Sequence, residues 1–163
     1  MTEWRALTGS DVVDLAVRLR SLDWSWLLAD VPALAADFGW AIGPTYRYSV
    51  SVGTELGPNT GSVSGRSETA DEIGIRVTDF ADDDAESRTR VRDAFADMAS
   101  TITTVLGPPT QRIPGEDAEI RWAGAETTVR LRLFTSNVSL YLCTNNALDL
   151  EDQVTAMDEQ GLL

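Results

Sequence analysis

Five carboxylates fall within eight residues, at Asp79, Asp82, Asp83, Asp84 and Glu86. A calcium loop places oxygen ligands at alternating positions, a glycine at the sixth and a glutamate at the twelfth. Counted from Asp82, Asp84 and Glu86 alternate as required, but Ser87 holds the sixth place and Asp93 the twelfth. The run suits a helix N-terminus better, because the helix dipole favours negative charge there. A partner-facing acidic patch is the other reading. Paired carboxylates also hydrolyse glycosides when they face each other across a cleft. With 26 acids in the chain some pair is always available, so that signal has little specificity. Gly61-Ser62-Val63-Ser64-Gly65 has the outline of a nucleophile elbow, but valine stands at its centre. The one cysteine, Cys143, ends an alternating stretch and reads as a small core residue.

What the chain lacks narrows the chemistry further. Its 163 residues contain no histidine and no lysine; all 13 basic side chains are arginine. Serine or cysteine nucleophiles with a histidine base, histidine-bound zinc, phosphate-binding lysine loops and Schiff bases are therefore excluded. No metal or cofactor is expected. The formal net charge is 13 − 26 = −13, which repels nucleic-acid phosphates and anionic membranes. The one arginine cluster, Arg88, Arg90 and Arg92, is flanked by acids and makes a mixed helix surface. No nucleic-acid or membrane partner is expected. The start shows no basic segment followed by an apolar one, no apolar stretch approaches a membrane span, and a cytoplasmic location is expected. Asn137-Val138-Ser139 matches a glycosylation sequon and is read as chance.

Two further features could serve recognition. Trp24 and Trp26 lie two apart in a short segment between helices, where they either cap the core or stand exposed as interface anchors. Beyond Arg132 the chain carries Asp149, Glu151, Asp152, Asp158 and Glu159 without a single base. That pattern reads as a solvated acidic face that can also act as a recognition surface. The partner-binding candidates are thus Trp24, Trp26, Asp82, Asp83, Asp84, Glu86, Asp149, Glu151 and Asp152.

These residues need a scaffold, and the hydrophobic periods describe one. Ser10 is expected to cap a helix carrying Val12, Leu15, Ala16 and Leu19. Asp30, with Pro32 in the first turn and Gly39 beyond the end, brackets a second helix. From Tyr46 to Val52 the period falls to two, predicting a strand. Gly57 to Gly61 reads as a turn or mobile loop, followed by strands near 62–67 and 73–80. Asp84 is expected to cap the longest helix, with Val91, Phe95, Met98, Ile102 and Val105 laid on the sheet. Strands follow at 119–122, 127–134 and from Val138, then a helix over 148–157. The order predicts one α+β domain over residues 1–163, an antiparallel sheet of about six strands with helices packed on one face.

Certain runs are also familiar together. Trp4-Arg5-Ala6-Leu7-Thr8, Leu22-Asp23-Trp24-Ser25-Trp26 and Asp37-Phe38-Gly39-Trp40 open the chain; Arg121-Trp122, Glu126 to Leu131 and Val138 to Leu142 follow later. Together they resemble an uncharacterised family of small acidic actinobacterial proteins, the domain of unknown function 6301 type. In style such proteins are similar to cytoplasmic immunity factors for secreted toxins, including NAD-glycohydrolase toxins exported by type VII systems. The resemblance implies a non-enzymatic protein-binding domain that covers the active site of a cognate toxin. The alternative is a secretion chaperone holding an exported protein in a groove on its sheet. The resemblance transfers no site residue, and nothing in the sequence sets an oligomeric state.

Overall fold

The computed structural model describes residues 3–161. Helix α1 (Gly9–Arg20) is capped by Thr8, two residues before the expected Ser10, with the Thr8 hydroxyl accepting from the Asp11 amide at 3.1 Å. Helix α2 (Val31–Phe38) begins after Asp30 and ends at Gly39, whose φ of 76° is the left-handed conformation that closes a helix. Asp30 does not cap it with its side chain, which instead accepts from the Ser25 hydroxyl at 2.5 Å.

The sheet has eight strands, not about six. They are β1 (Ala41–Thr45), β2 (Ser49–Thr54), β3 (Gly57–Gly65), β4 (Ala70–Arg76), β5 (Gln111–Ile113), β6 (Glu119–Ala123), β7 (Thr127–Leu133) and β8 (Val138–Thr144). All neighbours are antiparallel, in the order β1-β2-β3-β4-β8-β7-β6-β5. Two four-stranded meanders therefore meet at the β4–β8 seam. The two extra strands are the short edges. Pro44 is tolerated in β1 because an edge strand can spare an amide, and β5 is too short to show a period.

The expected loop at Gly57–Gly61 is the start of β3. Thr60 is buried, and its hydroxyl donates to Gly57 O at 2.8 Å while accepting from the Thr54 amide at 2.8 Å. Asn59 takes φ of 58°, a conformation asparagine tolerates, beside an irregularity in the β2–β3 register. A glycine- and proline-rich composition thus conceals a bulged strand.

Helix α3 (Ala85–Leu106) follows the expectation at its start: Asp84 accepts from the Ser87 amide at 2.8 Å. Val91, Met98 and Ile102 of its stripe are buried and Ala99 joins them. Phe95 is half-buried against the core and Val105 is exposed. Helices α1, α2 and α3 cover one sheet face, whose floor includes Val52, Val63, Ile73, Ile75, Trp122, Val129, Leu131, Leu140 and Leu142. Helix α4 (Asn145–Glu159) starts three residues earlier than expected, capped by the Thr144 hydroxyl. It lies on the other face, against side chains that alternate with the core set. The expectation that every helix packs on one face is corrected accordingly. Among the described residues, no helix is long and apolar enough to cross a membrane.

Candidate functional site

Strand alternation sends neighbouring residues to opposite faces. Val129 and Leu131 therefore enter the core, while Thr128, Arg130 and Arg132 point away from it. Cross-strand register then aligns Arg121 with Arg130, Arg130 with Tyr141, and Tyr141 with Gly74. Glu119, Ser139, Cys143, Glu72 and Arg76 share this second face. One part of it lies under α4; the rest is open.

Under α4 the face holds a buried ion network. Arg130 grips Glu119 with two bonds, Nε to Oε2 at 3.0 Å and Nη2 to Oε1 at 2.8 Å. Arg121 donates its Nε to the same Glu119, and Arg132 Nε lies 3.2 Å from Oε1. Helix α4 supplies two further anions. Arg121 takes Asp152 in a fork at 2.8 and 2.9 Å, and Arg130 Nη2 donates to Glu151 at 2.8 Å. With Glu72 of β4 at 3.9 Å from Arg130, three arginines thus face four carboxylates, and Arg130, Arg121 and Glu119 are all buried.

Charge is locked in place here. Burial opposes ionisation of Glu119, yet the bonds from Arg130 and Arg121 outweigh it and hold its carboxyl below the ordinary range. Burial likewise works against the Arg130 cation, but the bonds to Glu119 more than restore it. The Arg121 fork holds the Asp152 carboxyl low. Glu72 goes the other way: burial raises it, despite Arg130 at 3.9 Å. Burial and the neighbouring Glu72 push the Cys143 thiol up to about 12, so at neutral pH it is protonated and a poor nucleophile. The arrangement holds charge and shape; its groups are engaged with one another.

The open part is a groove of about 610 Å³. Its floor is made of small residues, Ser51, Ser62, Ser64, Gly74 and Ser139, and Tyr46, Phe80, Phe134 and Tyr141 stand around it. The floor is low for a reason visible at Gly74. A Cβ there would meet Tyr141 Cε1 at 2.5 Å, so the tyrosine ring lies directly on the glycine backbone. Arg76 stacks over Phe80 at 4.1 Å and Arg132 over Phe134 at 5.0 Å, each fixing one side of its ring. Tyr46 and Phe80 are 63% and 65% exposed.

The residues singled out from sequence occupy three separate places. Trp24 and Trp26 are half-buried against the core, their rings 5.3 Å apart. Their segment is costly: Trp26 has φ of 60° and the buried Trp24 Nε1 has no partner among the described residues, each feature worth on the order of 1–3 kcal/mol. Asp84 is committed to capping α3, Asp83 pairs with Arg88 at 2.5 Å, and Asp82 and Glu86 are exposed. Asp149 is exposed, whereas Glu151 and Asp152 are the α4 members of the ion network. The acidic tail reads as a solvated face in the sequence because its partners, Arg121 and Arg130, sit in strands where arginine normally signals solvent. The groove itself was missed. Its signal is faint: serine at alternate positions of β3, and an aromatic just past each of β4 and β7.

A family model described as a family of unknown function, DUF6301, matches residues 10–144. That span includes the whole sheet and stops where α4 begins. No curated protein and no solved structure matches the chain.

Proposed function

We propose that this chain, which belongs to the DUF6301 family, is a non-enzymatic protein-binding domain that acts in the cytoplasm as an immunity protein. It would bind a cognate secreted toxin, of NAD-glycohydrolase type among the possibilities its style of sequence suggests, and cover that toxin's active site. One observation carries the reading: the open groove, with a floor of small residues and two exposed aromatics, Tyr46 and Phe80, at its rim. Aromatic side chains over a low floor give a partner's loop both apolar anchorage and room to enter. The net charge of −13 adds long-range attraction for a basic partner. Asp82 and Glu86, free of structural duty, are the acids of the α3 start best placed to steer it.

The secretion chaperone remains the second reading, favoured by the position of the groove on a sheet face, where an exported chain could be held extended. An enzymatic role gains no support from the network, whose carboxylates are bound to arginines and whose thiol is protonated.

Co-expression separates these readings. Cells producing a toxin encoded beside this protein are expected to survive when it is present and to die when Tyr46 and Phe80 are both alanine. In binding assays each of Tyr46→Ala and Phe80→Ala should weaken the complex about 30-fold, equivalent to about 2 kcal/mol at a hot spot. Thermal stability should change little, because both rings are exposed in the free protein and Phe80→Ala gives up only the Arg76 stack, worth about 0.5–1 kcal/mol. Equal killing with and without the protein would remove the immunity reading and leave the chaperone.

A further inference from the structure

Helix α4 is attached at one end. Its first turn is tied down by several bonds: Thr144 caps it, Asn145 accepts from the Thr128 hydroxyl at 2.7 Å and donates to Gly124 O at 3.0 Å, and the Asn145 amide donates to Glu126 O at 2.9 Å. Leu148 is its one buried residue. From Asp149 to Gly161 every residue is exposed. The side-chain bonds to the sheet end at Asp152, with Glu151 on Arg130 and Asp152 on Arg121. By contrast α3 buries residues from Ser87 to Ile102 along its length.

Packing beneath the helix is incomplete as well. A cavity of about 350 Å³ lies between α4 and the sheet, lined by Leu148, Val154 and Thr155 above and by Ser64, Glu72 and Cys143 below. Ser64 and Glu72 also line the open groove. The covered and open parts of the polar face therefore adjoin at Ser64 and Glu72, and α4 roofs only the covered part. A detached 15-residue helix is marginal in water, so nothing but the sheet contact holds this one in shape.

We propose that residues 149–159 are a lid, hinged at Leu148 and held shut by Glu151 and Asp152, whose opening unroofs the covered part of the face and extends the open groove across it. Opening uncovers Arg121, Arg130 and Cys143. The lid stands or falls independently of which partner the groove takes.

Two measurements on the intact chain test it. By hydrogen exchange, amides of 151–159 should be at least about 100-fold less protected than those of β7 and β8, the spread expected between local and global opening. Cys143 gives a second readout, being 3% exposed and lining the cavity beneath the lid. Its labelling by a maleimide should run faster than global unfolding allows, and should accelerate at least about 10-fold in E151Q/D152N while β7 and α3 keep their protection. If that variant does not fold, the parent protein carries the test. Raising salt from 0.05 to about 1 M, where the screening length shrinks to about 3 Å, should itself accelerate labelling. Amides of 151–159 as protected as those of α3, or labelling that tracks global unfolding and ignores both the substitutions and salt, would overturn the lid.

Discussion

Trp122→Ala is expected to lower the unfolding free energy by about 3–5 kcal/mol, the range for removing a large aromatic side chain from a core. Trp122 is 1% exposed and sits in β6 opposite Val129, on the face covered by α1 and α3. Its indole Nε1 donates to Gly107 O at 3.0 Å. Gly107 is the residue that ends α3, so one side chain fills the core and fastens the end of the longest helix to the sheet. Trp122→Phe separates the two contributions. It keeps much of the volume but leaves the Gly107 carbonyl without its donor, and should cost less than the alanine variant. Domains of this kind are stable by only about 5–15 kcal/mol, so Trp122→Ala brings the chain close to unfolding. Urea denaturation decides it: an alanine variant with the parent's midpoint would mean that Trp122 is not in the core.

Trp122 also marks how far a sequence of this kind can be read. Where the signal is local, the reading succeeds: Asp84 announces its own helix, and Val129, Leu131, Leu140 and Leu142 declare the core face of two strands by alternation alone. Where the structure depends on what lies elsewhere in the chain, it fails. Thr60 belongs to a strand because its hydroxyl closes onto Thr54 and Gly57, which its glycine-rich neighbourhood hides. Ile73 finds Leu142 across the seam after nearly seventy intervening residues, and no period encodes that pairing. The acidic tail is the clearest case. Arg130 and Arg132 alternate with Val129 and Leu131 just as a solvent face would, so nothing local says that Arg130 is buried or that Glu151 will neutralise it. The groove suffers from the same blindness: Tyr46, Phe80, Phe134 and Tyr141 come from four stretches of chain, and only the completed sheet brings them around one floor.

Glu119 is the residue on which the polar face depends, and Glu119→Gln is expected to cost about 3–5 kcal/mol, the penalty for removing one partner from a buried ion pair. The amide nearly preserves shape but leaves Arg121, Arg130 and Arg132 around a neutral group. Glu151 and Asp152, both half-exposed, and Glu72 at 3.9 Å from Arg130 then remain to balance them. Asp152→Asn removes a half-exposed carboxylate and should cost about 1 kcal/mol or less, as exposed pairs do. The pH dependence carries the same signature. Glu119 and Asp152 are held below their ordinary values of 4.5 and 3.8. The unfolded chain therefore binds more protons than the folded one once pH drops to those values. Their stabilisation is complete above about pH 5 and is lost as pH falls through the lower folded values. Glu72, raised above 4.5, acts in the opposite sense: its burial penalty is relieved as it protonates, which offsets part of the early loss. In E119Q the acid limb of the stability curve should flatten, because one of the groups that carry it is gone, while Asp79, Asp84 and Asp152, also held low, keep the rest. Joint replacement of Glu119, Arg121 and Arg130 by leucine or methionine should by contrast be close to neutral, since a buried ionic cluster repays little more than its own desolvation. A Glu119→Gln protein as stable as the parent at pH 7, with an unchanged acid limb, would mean that the arginines do not need this carboxylate.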